Sequence, residues 1–350
     1  MAPTSFEDLN DDCIRLIVDE TAKISASDWR DPLMLKHLSL VSKRVRYLCR
    51  PVLFKSNNLS ISAHRRVVPT IATFNALAKA EFKVSTLQAL NVALNNATGQ
   101  DLAFCKAFVT TIAMMPSLSE LRLDLNDDED LCSRLRVTSK ANNLTLPVKT
   151  LTLVQAPNAA FVIQACPHVE TFISVANRKW KRTFGPLLTM KTLRRLEINH
   201  RENWTVRRLQ DLISYMNVPE LCLKGEIYKL RPSTLATQLK SLNRLRSLTM
   251  TSIQYINHQA FGSYISYGDD EEEDQLYHPF YQPPTVIAQA FFESCPKLLK
   301  VRVLQCYCTT KYGCARNEDG GVDKIERLSE KNWRYGFKSA FQTFWPMMEW

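Results

Sequence analysis

Apolar residues recur along this chain in two rhythms. One has a period of two and predicts short strands with one buried face; the other has a period near 3.6 and predicts amphipathic helices. The first is clearest in LSELRL from Leu118, LRRLEI from Leu193, VPELCL from Val218, LRSLTM from Leu245 and LLKVRV from Leu298. It is fainter in LQALNV from Leu87, KTLTL at 149–153 and VETFIS from Val169. The second fills the intervals, as in TVRRLQDLISYM from Thr205, where Thr205 can cap a helix and Leu209, Leu212, Ile213 and Met216 form a stripe. PSTLATQLKSL from Pro232 and TVIAQAFFESC from Thr285 read the same way.

The middle apolar residues of the strand-like copies are Leu90, Leu121, Leu151, Phe172, Leu196, Leu221, Leu248 and Val301, spaced by 31, 30, 21, 24, 25, 27 and 53 residues. Most intervals fall near the roughly 20–29 of leucine-rich repeats. The last is long enough for one repeat plus an insertion, or for two degenerate repeats. A single strand–helix unit cannot hide its apolar face, so such units stack. The predicted fold class is therefore α/β: an irregular leucine-rich-repeat solenoid over 57–350, with parallel strands on a concave binding face and helices on the convex one. The competing reading is an ordinary α/β domain. Against it, an open nucleotide-binding sheet usually carries glycine at its first strand-to-helix turn, and the nine glycines here form no G-x-G.

Residues 1–56 follow a different plan. Asn10 ahead of Asp11 and Asp12 marks a helix start, and Ile14, Ile17 and Val18 follow at helical spacing. Pro32 can open a second helix carrying Leu35, Leu38 and Val41. Ser42 can cap a third, running through Val45, Leu48 and Cys49 and ended by Pro51. Three short helices bury little apolar area alone. They are either a docking module or a cap on the following domain.

The order Leu9, Ile14, Ile17, then LSLVSKRVRYL, then PVLF resembles the F-box, the motif that binds the Skp adaptor of cullin–RING ubiquitin ligases. The phrases CPHVETF from Cys166 and CPKLLKV from Cys295 are similar to those of F-box proteins with C-terminal leucine-rich repeats, in which a helix ends in Cys-Pro ahead of a strand. The resemblance implies adaptor contact at Leu9, Asn10, Ile14, Ile17, Leu38, Val41, Ser42, Lys43 and Val45. It also implies a non-catalytic substrate-recognition subunit of an SCF-type ligase, with cullin and RING subunits reached through the adaptor and no cofactor. A target protein would be held by the repeats.

Charge suggests where that target would sit. Lysine plus arginine number 45 against 35 acids, an excess that invites an acidic partner. It concentrates in Arg178, Lys179, Lys181, Arg182, Lys191, Arg194, Arg195, Arg201, Arg207 and Arg208, opposed only by Glu197 and Glu202, with Trp180 and Trp204 among them. Arg178, Lys179, Lys181, Arg182, Arg194, Arg195 and Arg201 are the candidate target contacts, suited to carboxylate or phosphate groups. The same cluster could grip nucleic acid, with the tryptophans stacking on bases, or be a solvated face. Six consecutive acids, Asp269 to Asp274, mark an insertion around 266–284, and the aromatic stretch 332–350 reads as a terminal cap.

Other chemistry is weakly supported. Cys306, Cys308 and Cys314 supply three ligands where a structural zinc site wants four, so no metal is expected. DLNDDED from Asp124 lacks the glycine and glutamate of a calcium loop and reads as a solvated loop. Neither G-x-S-x-G nor H-E-x-x-H occurs, which leans against a hydrolase. The solitary cysteines look reduced, and neither a secretory signal nor a run of about eighteen apolar residues is present. A cytoplasmic or nuclear protein without membrane contact is expected.

Overall fold

The structure, a computed structural model, describes residues 8–27, 34–62, 67–95, 102–176, 183–200, 204–225, 232–251, 284–304 and 308–332. The chain divides into two compact units: unit 1 is Met1–Val148 with Ala165–Pro167, and unit 2 is Lys149–Gln164 with His168–Trp350. Both are α/β, built of strands joined by helical crossovers.

Unit 1 opens with α1 (Asp11–Ser27), α2 (Met34–Leu38) and α3 (Lys43–Leu53). The predicted caps form: Asn10 Oδ1 accepts from Cys13 N at 2.8 Å, and Ser42 Oγ accepts from Val45 N at 3.2 Å. Pro51 does not end α3, which continues to Leu53. Proline forfeits only its own N–H bond in a last turn, and Phe54 N still donates to Arg50 O at 3.0 Å. Then come β1 (Ser56–Ser62), α4 (Val67–Lys79), α5 (Glu81–Thr86), β2 (Ala89–Asn95), α6 (Leu102–Ala113), β3 (Glu120–Asp124) and α7 (Glu129–Ala141). β1, β2 and β3 pair in parallel, and Leu90 stands against Leu121. Phe74, Phe104 and Phe108 meet in this unit's core. DLNDDED is not simply solvated: Asp124 is buried, Asn126 and Asp127 adopt positive φ, and Asp128 Oδ1 caps α7 by accepting from Leu131 N.

In unit 2, β4 (Thr150–Val154), α8 (Ala160–Gln164), β5 (Thr171–Val175), a 3-10 turn (Gly185–Thr189), β6 (Arg195–Asn199), α9 (Val206–Tyr215), β7 (Glu220–Lys224), α10 (Pro232–Leu239), β8 (Ser247–Thr251), α11 (Pro284–Ser294) and β9 (Lys300–Leu304) follow in order. β4 to β9 pair in parallel, and Leu151, Phe172, Leu196, Leu221, Leu248 and Val301 form one unbroken row across them. All six are buried. β8 pairs directly with β9, so across the 53-residue interval the sheet advances by a single strand among the described residues.

The repeat is also visible in how strands begin. Two successive amides share one carbonyl: Glu170 and Thr171 donate to Lys149 O, Arg194 and Arg195 to Glu170 O, Arg246 and Ser247 to Pro219 O, and Leu299 and Lys300 to Arg246 O, all between 2.8 and 3.1 Å. Sequence reading missed β1 and the closing hairpin, β10 (Cys308–Arg316) and β11 (Val322–Asn332), which adds to β9 antiparallel. The hairpin is fastened by Arg316, whose guanidinium donates to the carbonyls of Phe292 and Cys295 at 2.9 Å and of Leu298 at 3.1 Å, in and just after the last turn of α11, where orphan carbonyls gather.

Candidate functional site

The helical module closes around Ile14, Val18, Leu35, Val45, Leu48 and Cys49, with Leu9, Leu38, Val52 and Leu53 packed partly against them. Arg44 fastens α3 to the start of α1, donating to Leu9 O at 2.8 Å and pairing with Asp11 at 2.7 Å. With this core filled, Leu16 at 66% exposure, Leu40 at 67%, Val41 at 57% and Tyr47 at 65% stay outside. Lys43, Arg46 and Arg50 are exposed beside Tyr47 on α3. Apolar anchors flanked by cations suit a protein partner with an apolar groove and acidic rim.

Of the predicted adaptor contacts, Asn10, Val41 and Lys43 are exposed, while Leu9, Ile17, Leu38 and Ser42 are half-buried. Ile14 and Val45 are corrected: both point inward, so as folded they build the module and offer a partner no surface. Leu16, Leu40 and Tyr47, which the sequence reading did not single out, are exposed on the same module. For Leu16 and Tyr47 the signal was present in the sequence, since each is a large apolar residue off the buried stripe of its helix, whereas Leu40 lies in the turn between α2 and α3.

In unit 2 the sheet face opposite the apolar row carries charge. Lys224 on β7 donates to the Glu197 carboxylate on β6, and Arg195 donates to the same carboxylate at 3.0 Å. Burial pushes the Glu197 pKa up, but the Lys224 ammonium and the bonds from Lys224 and Arg195 outweigh it and hold the group below the usual carboxylate range. Cys222, beside Glu197 in register, is pushed up to about 12 by burial and by that carboxylate. Arg302 on β9 lies in the same strand row through Thr249 and is exposed.

This geometry divides the predicted target contacts. Arg194 is exposed, and Arg195 is half-buried and engaged with Glu197. Arg178, Lys179, Lys181, Arg182 and Arg201 lie outside the described residues, as do Trp180, Cys306, the acidic run and 333–350. Trp204 is corrected. It is buried, its Nε1 donates to Lys224 O at 3.1 Å and its ring meets His200 edge-on, so it has no face for a base. Among the described residues no three His, Cys, Asp or Glu side chains gather as metal ligands, and no helix is long and apolar enough to cross a membrane.

Neither a scan against protein-family models nor a search of the curated proteins returns a match for this chain.

Proposed function

We propose that this chain is the substrate-recognition subunit of an SCF-type cullin–RING ubiquitin ligase. Its first three helices dock on a Skp adaptor, and its strand–helix repeats hold a target protein. The observation that carries this reading is a short module with its own closed core that still leaves Leu16, Leu40, Val41 and Tyr47 on its surface. A cap serving only its own chain would have little reason to expose them.

The register-locked rows and shared strand-start carbonyls support the companion reading of a leucine-rich-repeat solenoid, with strands on a concave face and helices on a convex one. Arg194, Arg195 and Arg302 would meet acidic or phosphorylated groups of the target there. Such a receptor makes no bonds itself. It raises the local concentration of target lysines at the ligase.

Calorimetry of the full chain against a Skp adaptor tests this, with Ile17→Asp/Val41→Asp as the comparison. Ile17 is half-buried and Val41 exposed, so the pair places charge on the docking surface. Binding lost in the variant, with its circular dichroism unchanged, supports the receptor. An intact protein that ignores the adaptor overturns it and leaves the helices as a cap.

A further inference from the structure

β11 is an edge. It pairs with β10 on one side, and among the described residues no strand pairs with it on the other. Edges present unpaired backbone groups, and charges on them ordinarily deter pairing. The charges of β11 deter every nearby self-pairing register except one.

The segment Val322–Leu328 reads VDKIERL. Two copies set antiparallel about a two-fold axis at Ile325 place Lys324 against Glu326, Asp323 against Arg327, Val322 against Leu328 and Ile325 against itself. Both charge pairs are opposite in sign and both remaining pairs are apolar, the combination that stabilises cross-strand neighbours. Moving the axis one residue sets Lys324 against Lys324 or Glu326 against Glu326, and moving it two residues C-terminal sets Arg327 against Arg327. The two half-step registers nearest the axis fare no better: they oppose Asp323 to Glu326 or Lys324 to Arg327.

The side chains are in place for this. Asp323, Lys324, Glu326, Arg327 and Leu328 are all exposed. Lys324 and Glu326 already stand 2.8 Å apart on one chain, and a second copy would close them into a ring of four alternating charges about the axis. Register shifts against β10 bracket the regular stretch Lys324–Arg327, which contains the axis. Bulges of this kind bend an edge and shorten what can pair along it.

We propose that β11 is a homotypic docking edge through which two copies of this chain associate antiparallel about Ile325. Pairing at β11 does not depend on adaptor binding by the helical module. The short contact predicts a weak dimer, since stable interfaces bury on the order of 1,000 Å² or more.

Sedimentation velocity of the full chain across the micromolar range tests it. The wild-type chain is expected to move from monomer toward dimer as concentration rises. Lys324→Glu and Glu326→Lys each turn two attractive pairs into repulsive ones and should weaken association about tenfold or more. An equimolar mixture of the two variants restores opposite charges at both pairs and should associate again, as should the double variant Lys324→Glu/Glu326→Lys. A wild-type chain that stays monomeric, a dimer indifferent to the single reversals, or a mixture no tighter than its components overturns the proposal. The restored mixture also shows that neither variant lost association through misfolding.

Discussion

The Glu197 carboxylate on β6 and the Lys224 ammonium on β7 form an ion pair almost wholly withdrawn from water, with Arg195 as a second donor to the same carboxylate. Removing one partner would strand a buried charge, which typically costs about 3–5 kcal/mol, whereas removing both costs far less. Lys224→Met leaves Arg195 as the remaining donor to the carboxylate and should destabilise unit 2 by up to about that amount, and Glu197→Leu/Lys224→Met by clearly less. Denaturant melts of the two variants make the comparison.

The same pair sets an acid limit. The Glu197 pKa is held below its ordinary 4.5 in the fold, so the stabilisation is complete above that pH and disappears as pH falls through the depressed value. Glu197→Gln should flatten the stability–pH curve in that window and leave its shape above pH 5 nearly unchanged. A variant as acid-sensitive as the wild-type chain would assign the acid limit to other groups.

Gly225 follows β7 with φ +119, and a Cβ there would sit 2.3 Å from the His200 carbonyl oxygen. That oxygen is backbone and cannot swing aside. Gly225→Ala should cost at least about 2 kcal/mol, combining the backbone strain with the clash. Gly320→Ala shares a positive φ but meets nothing within 4 Å, so it should cost less. Thermal melts of the two variants separate strain from collision.

Cysteine chemistry should report burial. Cys13 is exposed on α1, while Cys132, Cys166 and Cys222 are buried and pushed up to about 12, chiefly by loss of solvation. Only the thiolate reacts. Iodoacetamide at neutral pH is expected to label Cys13 in the native protein and those three only in denaturant, as peptide mass mapping would read out.

In the helical module, Asn10→Ala and Ser42→Ala should each cost about 1 kcal/mol through loss of an N-cap. Hydrogen exchange of the α1 and α3 amides measures this locally. Unchanged protection would mean that the interhelical core alone sets the module's stability.

Sequence alone determined what local periodicity and side-chain chemistry fix. The eight strand copies from Leu90 to Val301, the caps at Asn10, Ser42 and Thr205, and the stripe on α9 all follow from spacing two, spacing 3.6 and short polar residues at helix starts. Tertiary structure decided what depends on neighbours distant in the chain. β1 and the β10–β11 hairpin exist because adjacent strands supply their backbone partners, and their own apolar alternation is weak. Leu16 and Ile14 are both apolar residues of α1, yet one is exposed and the other buried, because α2 and α3 cover only one face of that helix. Trp204 and Glu197 sit in a basic stretch that reads as an open contact surface, and burial with Lys224 makes them part of the protein's own architecture. Which charges face a partner and which face each other is a property of strand register, and register is set by pairing across the sheet.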